Sequence, residues 1–290
     1  METKLCLDVG GTEIKAAVVQ ENGTLLGEIR YFPANSRESA PVLLDHFAEI
    51  LKTLARDCET VTGIRMAFPG PFDYEKGISL MQGLDKYDSL YGLELRKELM
   101  QRLNLPGIKE EDILFINDVS AFALGEMHFG KAAGAEKSMF ICIGTGCGSA
   151  FGLDGKLTDE RTPGVPKDGY VYPTPFLDSC IDDHLSRRGL LRLSREMMGE
   201  ELDGKALAQR VQQGDEKARD CFACFGNRLR DALAPFLFSY HPQCLCIGGQ
   251  ITRSADLFLS PLKQLCQEND ILLYVTADTS VKTVQGLSVL

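Results

Sequence analysis

The sequence predicts an α/β protein of two similar lobes, with a ligand cleft between them. Three observations carry that prediction. First, "LDVGGTEIKAAVV" at residues 7–19 is an apolar strand, a glycine turn and a second apolar strand. Second, "SMFICIGTGCGSAFGLDGKL" from Ser138 repeats that order, including a closing D-G turn that matches the earlier "ENG". Third, each opening is followed by further strands alternating with amphipathic helices. The chain has 290 residues, 44% of them hydrophobic, which is enough for two domains of ordinary size. The expected boundary separates an N-terminal lobe of residues 1–118 from a C-terminal lobe of residues 119–290.

Residues 4–9, 14–20 and 24–32 read as successive strands joined by turn-forming residues. Over 38–57, Val42, Leu43, Phe47, Ile50, Leu51 and Leu54 recur at helical spacing. "VTGIRMAF" is a strand stopped by "PGP", and residues 92–103 form another amphipathic helix. "DILFIND" is a strand ending in a polar pair, and "SAFALGEMHFG" is helical. Past Thr158 the pattern breaks into a proline-rich loop, "TDERTPGVPKDGYVYPTP". Helices follow near 178–190, 204–213 and 215–239, then the buried strands "CLCIGGQI" and "ILLYVT".

Composition excludes several classes of function. A net charge of −10 argues against nucleic acid or an anionic membrane as partner. No apolar run approaches the ~18 residues of a membrane span, and no basic start leads into a long apolar run. A cytoplasmic protein is expected. Its ten cysteines then read as free thiols. Cys221 and Cys224 in "CFAC" lie three apart on one helical face and lack a second ligand pair, so they read as small buried hydrophobes.

The glycine turns raise a chemical question. Gly10 and Gly11 suit the positive φ angles of a tight hairpin. They also leave backbone N–H groups uncovered, a concavity that binds anions such as phosphate. Asp8 stands on the shoulder of that turn, where a hydrated magnesium ion fits. Gly144, Thr145 and Gly146 repeat the device, and Gly248 and Gly249 end a buried strand. Together the motifs fit a nucleotide gripped between two lobes. Neither a Walker A sequence nor a G-x-G-x-x-G fingerprint stands at a strand-to-helix turn. Asp118 follows the strand "ILFI" at the end where open α/β sheets place ligands, so it is a candidate general base. Asn117 beside it both donates and accepts hydrogen bonds. The same pair also reads as a helix cap for "VSAFALGE".

"LDVGGTEIKAAVV", "FINDVSAFALGE", "IGTGCGSAFGLDGKL" and "IGGQI" together resemble the ROK family of repressors, open reading frames and sugar kinases. The resemblance implies the two-lobed actin–hexokinase fold, ribonuclease H-like, each lobe a mixed five-stranded sheet with helices. It implies ATP-dependent phosphorylation of a hexose or related sugar, glucokinase-like, with ATP and magnesium. Asp8, Gly10, Gly11 and Thr12 match its first phosphate motif, and Gly144, Thr145 and Gly146 its second. Gly248 and Gly249 match its adenosine-side motif. Asn117 and Asp118 match the pair that grips the sugar and starts the chemistry, with Asp118 as the base. Lys86, Tyr87 and Asp85 fall where the family contacts its sugar, and the same stretch also reads as a solvated loop. The family pattern also implies a homodimer or higher homo-oligomer.

This chain departs from that pattern. It lacks the Glu-x-Gly-His element and the cysteine cluster that hold sugar and zinc in family kinases. No zinc site is expected, since His184 and Cys180 alone do not make one. In place of that element stands a 158–184 segment with Glu160, Lys167, Asp168, Tyr170 and Tyr172. A sugar-binding or sugar-sensing protein without kinase activity is the alternative.

Overall fold

The structure, a computed structural model, describes residues 2–290. In the first part of the chain β1 (Thr3–Val9), β2 (Glu13–Gln20) and β3 (Arg30–Pro33) form an antiparallel meander. Helix α1 (Ala40–Ala55) leads to β4 (Val61–Phe68), which lies parallel to β1. A small hairpin of β5 (Phe72–Asp73) and β6 (Ile78–Ser79) and the short helix α2 (Leu95–Met100) precede β7 (Ile113–Asn117), parallel to β4. Helix α3 (Asp118–Phe129) starts where β7 stops. The sheet order is β3-β2-β1-β4-β7.

The period of two in β1 sorts its side chains between the two sheet faces. Leu5, Leu7 and Val9 join Phe47, Leu51, Met66 and Phe68 in one core cluster. Cys6 faces the other way and joins Ala17, Val19 and Ala67 with Ala121, Val284 and Leu287. Asp8 has the parity of Cys6, so it lies on the face that α3 covers. The third strand is shorter than the expected 24–32. Gly27, at φ 84°, interrupts it, and only the single bridge Val19–Leu25 precedes β3.

The second part of the chain repeats the plan. Strands β8 (Lys137–Ile143), β9 (Cys147–Leu153) and β10 (Lys156–Thr158) are again an antiparallel meander. Asp154 and Gly155, at φ 50° and 74°, form the turn between the last two. The loop after Thr158 ends in a hairpin of β11 (Pro175–Phe176) and β12 (Ser179–Cys180). Helices α4 (Ile181–His184), α5 (Arg187–Met198), α6 (Gly204–Gln212) and α7 (Glu216–Tyr240) follow. Strand β13 (Cys244–Gly248) lies parallel to β8. Helices α8 (Ala255–Phe258) and α9 (Ser260–Glu268) precede the edge strand β14 (Leu272–Val275). The order β10-β9-β8-β13-β14 is that of the first sheet, counted within its own half.

The single helix expected near 178–190 is two. Ser186 breaks it and starts α5, its hydroxyl accepting from Gly189 N at 3.5 Å. Helix α7 buries Cys221, Phe222, Phe225, Leu229, Leu233 and Leu237, a stripe at helical spacing. Cys221 is part of that core, and all ten cysteines are free.

The last helix, α10 (Thr279–Leu287), packs on the first unit. A Cβ on Gly125 would collide with the Lys282 carbonyl, and one on Gly286 with that of Ala121. Glycine at these two places lets α3 and α10 touch backbone to backbone. The compact units are accordingly residues up to Gly130 together with Ser280–Leu290, and Lys131–Thr279. The first unit thus runs past the expected boundary at 118, because α3 and α10 both cover its sheet.

Candidate functional site

In the first unit the turn between β1 and β2 has every carbonyl held from within. Tyr87 donates its hydroxyl to Gly10 O at 2.7 Å, and Ser36 donates to Gly11 O at 2.7 Å. Ala34 N donates to Thr12 O, and Gly10 N to Glu13 O, both at 3.0 Å. Gly11 and Thr12 are exposed. Their N–H groups and the Thr12 hydroxyl donate to nothing among the described residues. A turn with its acceptors spent and its donors open suits an anion.

The glycines are there for a reason other than the one expected. Neither Gly10 nor Gly11 has a positive φ. A Cβ on Gly10 would lie 2.7 Å from Glu13 O, so the turn is too tight for a side chain. A Cβ on Gly11 would touch only Lys86 Cδ, at 3.4 Å. Gly11 leaves the amides uncovered without being demanded by its own fold.

Asp118 opens α3 at the carboxyl end of β7. Asn117 caps that helix, its Oδ1 accepting from Val119 N at 3.0 Å and Ser120 N at 3.3 Å. Asn117 Nδ2 donates to the Tyr74 hydroxyl at 3.3 Å, and Tyr74 donates to Phe68 O at 2.9 Å. Asp118 Oδ1 accepts from Val119 N at 3.0 Å. Part of Asp118 still reaches solvent, yet its carboxyl is closely packed around. That burial, reinforced by the charge of Asp8, pushes its pKa up to about 6, against the Val119 amide and the Lys86 charge. Asp8 is buried and pairs through Oδ2 with Lys15 Nζ at 3.0 Å. Burial works against the Lys15 charge, but the Asp8 carboxylate outweighs it and holds the ammonium above its ordinary value. Asp8 Oδ1 takes no hydrogen bond from the described residues.

Lys86 and Tyr87 were expected together as ligand contacts, and the structure separates them. Tyr87 is fully buried, its ring centroid 5.4 Å from that of Phe68 and 6.2 Å from that of Phe47. With its hydroxyl spent on Gly10, it is a strut beneath the turn and offers a ligand nothing. Lys86 is half-buried beside Gly11. Asp85 is exposed and pairs with Arg37 at 3.4 Å.

In the second unit the turn at 144–146 is held differently. Gly144 N donates to Gly146 O, and Arg187 N to Gly144 O, both at 2.9 Å. Cys147 N donates to Asp182 Oδ1 at 2.7 Å, and Asp182 pairs in turn with Arg188. Thr145 is exposed; its N–H and hydroxyl, and the Gly146 N–H, donate to nothing among the described residues. Gly248 ends β13. Gly249, at φ 93° and ψ 174°, occupies backbone space open essentially to glycine alone. A Cβ there would collide with Ile143, the residue that feeds the 144–146 turn. The second and third glycine motifs therefore meet within this unit.

Ser149 fastens the 158–184 segment, donating to Gly169 O at 2.7 Å and accepting from Val171 N at 2.9 Å. Glu160 accepts from Asp168 N at 2.8 Å, and Tyr172 is exposed with its ring 5.5 Å from Tyr170. Among the described residues no group of three or more His, Cys, Asp or Glu side chains is arranged to hold a metal ion, and no helix is long and apolar enough to cross a membrane. Sequence reasoning missed Ser36, Tyr74 and Asp182. Nothing local marks them, since each acts on a residue at least 25 positions away.

Comparison with known proteins adds the following. The model of the ROK family matches residues 4–282. A glucokinase of Thermotoga maritima is 25% identical over 281 residues, spanning 89% of this chain and 85% of its own. The solved structure of a ROK hexokinase from Thermus thermophilus aligns with a TM-score of 0.80 at 21% identity, covering 99% of this chain and 97% of that one. A ROK family glucokinase from Streptomyces griseus, in complex with glucose and AMPPNP, aligns at 0.74 with 20% identity, covering 99% and 98%. The likeness shows the expected fold, an α/β arrangement with two mixed five-stranded sheets.

Proposed function

The chain belongs to the ROK family, and from that membership we propose that it is an ATP-dependent sugar kinase, phosphorylating a hydroxyl of a hexose or related sugar. The observation that carries the reading is Asp118. It is a carboxylate at a strand end, titrating near pH 6, on the sheet face that also bears Asp8. Phosphoryl transfer asks the protein for positioning and charge stabilisation, plus an acceptor for one proton. Asp118 takes that proton as the sugar oxygen bonds to the terminal phosphorus. The bridging P–O bond breaks, and its electron pair leaves with ADP. Asn117 has its oxygen committed to the helix cap and one N–H to Tyr74, which leaves its other N–H for a sugar hydroxyl.

The open amides of Gly11 and Thr12, and those of Thr145 and Gly146, are the proposed phosphate contacts, with Gly248 and Gly249 on the nucleotide side. Magnesium would arrive with ATP, and Asp8 Oδ1 is the oxygen left to meet its hydration shell. Coupled detection of ADP with a panel of hexoses, amino-hexoses and N-acyl hexosamines tests the reading. Sugar-dependent ADP formation in the parent, lost in Asp118→Asn, is the expected result. No sugar-dependent ADP with any member of the panel would favour a binding protein without transfer.

A further inference from the structure

Lys86 is a charge that the proposed reaction leaves without a task. It makes no hydrogen bond or ion pair among the described residues. Of the nearby acids, Asp8 pairs with Lys15 at 3.0 Å and Asp85 with Arg37 at 3.4 Å, while Asp118 feels the Lys86 charge without forming an ion pair with it. The Lys86 stem runs against Gly11, with Cδ 3.4 Å from where a Cβ would stand. The backbone on both sides is strained: Asp85 and Tyr87 are left-handed, at φ 60° and 59°, although neither is glycine.

That strain is offset by anchors on the same turn. Tyr87 buries its ring and donates its hydroxyl to Gly10 O at 2.7 Å. Its N–H donates to Ser36 O at 2.6 Å, and Ser36 donates to Gly11 O at 2.7 Å. Arg37 Nε donates to Asp85 O at 3.3 Å. Residues 85–87 are thus tied to the glycine turn from both sides, and the free group they present is the Lys86 ammonium. A lysine has donors only, and the open groups of the turn are donors too. What the two share as a partner is an anion.

We propose that Lys86 is an anion contact of the first glycine turn, and that in the kinase reaction it meets the phosphoryl group being transferred, not a sugar hydroxyl. The anion site stands on the geometry of residues 10–12 and 85–87; only the identity of the anion rests on the kinase reading. A full positive charge there stabilises the charge spread over the transferred oxygens, which peptide amides alone do less well.

The test is calorimetric titration of inorganic tripolyphosphate into the parent, Lys86→Met and Lys86→Arg, with thermal melts to confirm folding. Lys86→Met should bind about tenfold or more weakly, and Lys86→Arg within a few-fold of the parent. Equal affinity in the parent and Lys86→Met overturns the proposal, and so does a parent that binds no tripolyphosphate. In the sugar kinase assay Lys86→Met should lower kcat by about tenfold or more while leaving the sugar KM nearly unchanged. A raised sugar KM with kcat intact assigns Lys86 to the sugar and overturns the phosphoryl contact. The titration needs no turnover, so a chain without kinase activity would lose the kinase reading while the anion contact is still judged by the titration.

Discussion

At residues 10–12 the carbonyls are held by Tyr87, Ser36 and Ala34, and the side chain leaning on the turn is that of Lys86. At residues 144–146 the neighbouring side chain is Asp182, which holds Cys147 N and is held by Arg188. The two turns share a sequence pattern and a set of open amides. They differ in the charge added beside them, an unpaired cation in one case and a carboxylate neutralised by Arg188 in the other. An ion pair adds little net charge to an amide cradle, whereas an unpaired ammonium favours a concentrated negative charge there. On the kinase reading proposed above, the difference would place the reacting phosphate at the first turn and leave the second a backbone contact. It also shows that a glycine turn is incomplete as a motif until its neighbours are known.

The assignment can be broken most directly at the carboxylates. Asp118→Asn should lower kcat by at least ~10²-fold, the usual scale for a general base. Asp182→Asn should cost less than about tenfold in the same assay, since a held turn needs positioning alone. Equal losses would erase the distinction between the turns. In the parent, kcat/KM should rise with pH through about 6, where Asp118 loses its proton, and then level off. A flat profile between pH 5 and 7 would remove Asp118 from the role of base.

The hydroxyls come next. Thr12→Val should weaken ATP–magnesium binding roughly ten- to a hundred-fold, the worth of a hydrogen bond to a charged group. Adenosine, with no phosphate to grip, should bind as before. Thr145→Val should cost only a few-fold, and calorimetry of both variants with both ligands sharpens or reverses the ranking.

Backbone space separates the turns too. Gly10→Ala puts a Cβ 2.7 Å from a backbone oxygen and should destabilise by about 1–3 kcal/mol in urea melts. Gly144→Ala meets nothing within 4 Å and should stay within ~0.5 kcal/mol of the parent. Asp118→Asn should act in the opposite direction. The folded carboxyl titrates near 6 against an ordinary 3.8, so the folded state binds its proton more tightly and loses stability as pH rises through that window. The variant should therefore be the more stable protein above pH 6, by about 1 kcal/mol after solvent screening, and the gain should vanish below about pH 4. The smallest expected effect is that of metal removal. Elemental analysis should find no stoichiometric zinc, and a chelator should leave the melting temperature unmoved. One zinc per chain that survives dialysis would contradict this.

What the sequence reveals of this molecule is what local pattern can carry. The period of two in β1 and β4, the Asn-Asp pair ahead of α3 and the D-G turn at 154–155 are written in adjacent residues. The fold and the position of Asp118 are legible from them. Other features depend on residues distant in sequence. Tyr87 reads as an exposed loop residue until its left-handed backbone carries its ring under Gly10, 77 positions away. Asp182 reaches Cys147 across 35 positions from a segment that looks like plain helix. Gly10 and Gly11 suggest positive φ, which neither adopts, and at Gly10 the actual constraint is a carbonyl three residues on, which only coordinates reveal. Gly27 cuts β3 short within an otherwise strand-like run.

Helix α10 has a consequence for the birth of the protein. Its residues Val284 and Leu287 close the sheet face around Cys6, Ala17, Val19 and Ala67, nearly the whole length of the chain after that face is translated. The second unit, Lys131–Thr279, is continuous and is translated whole while this face has only α3 of its two covering helices. Synthesis from the N-terminus thus finishes the second unit before it makes the helix that completes the first. The backbone-close seam of Gly125 and Gly286 is where α10 closes against α3, and a side chain at either glycine would collide with the facing backbone.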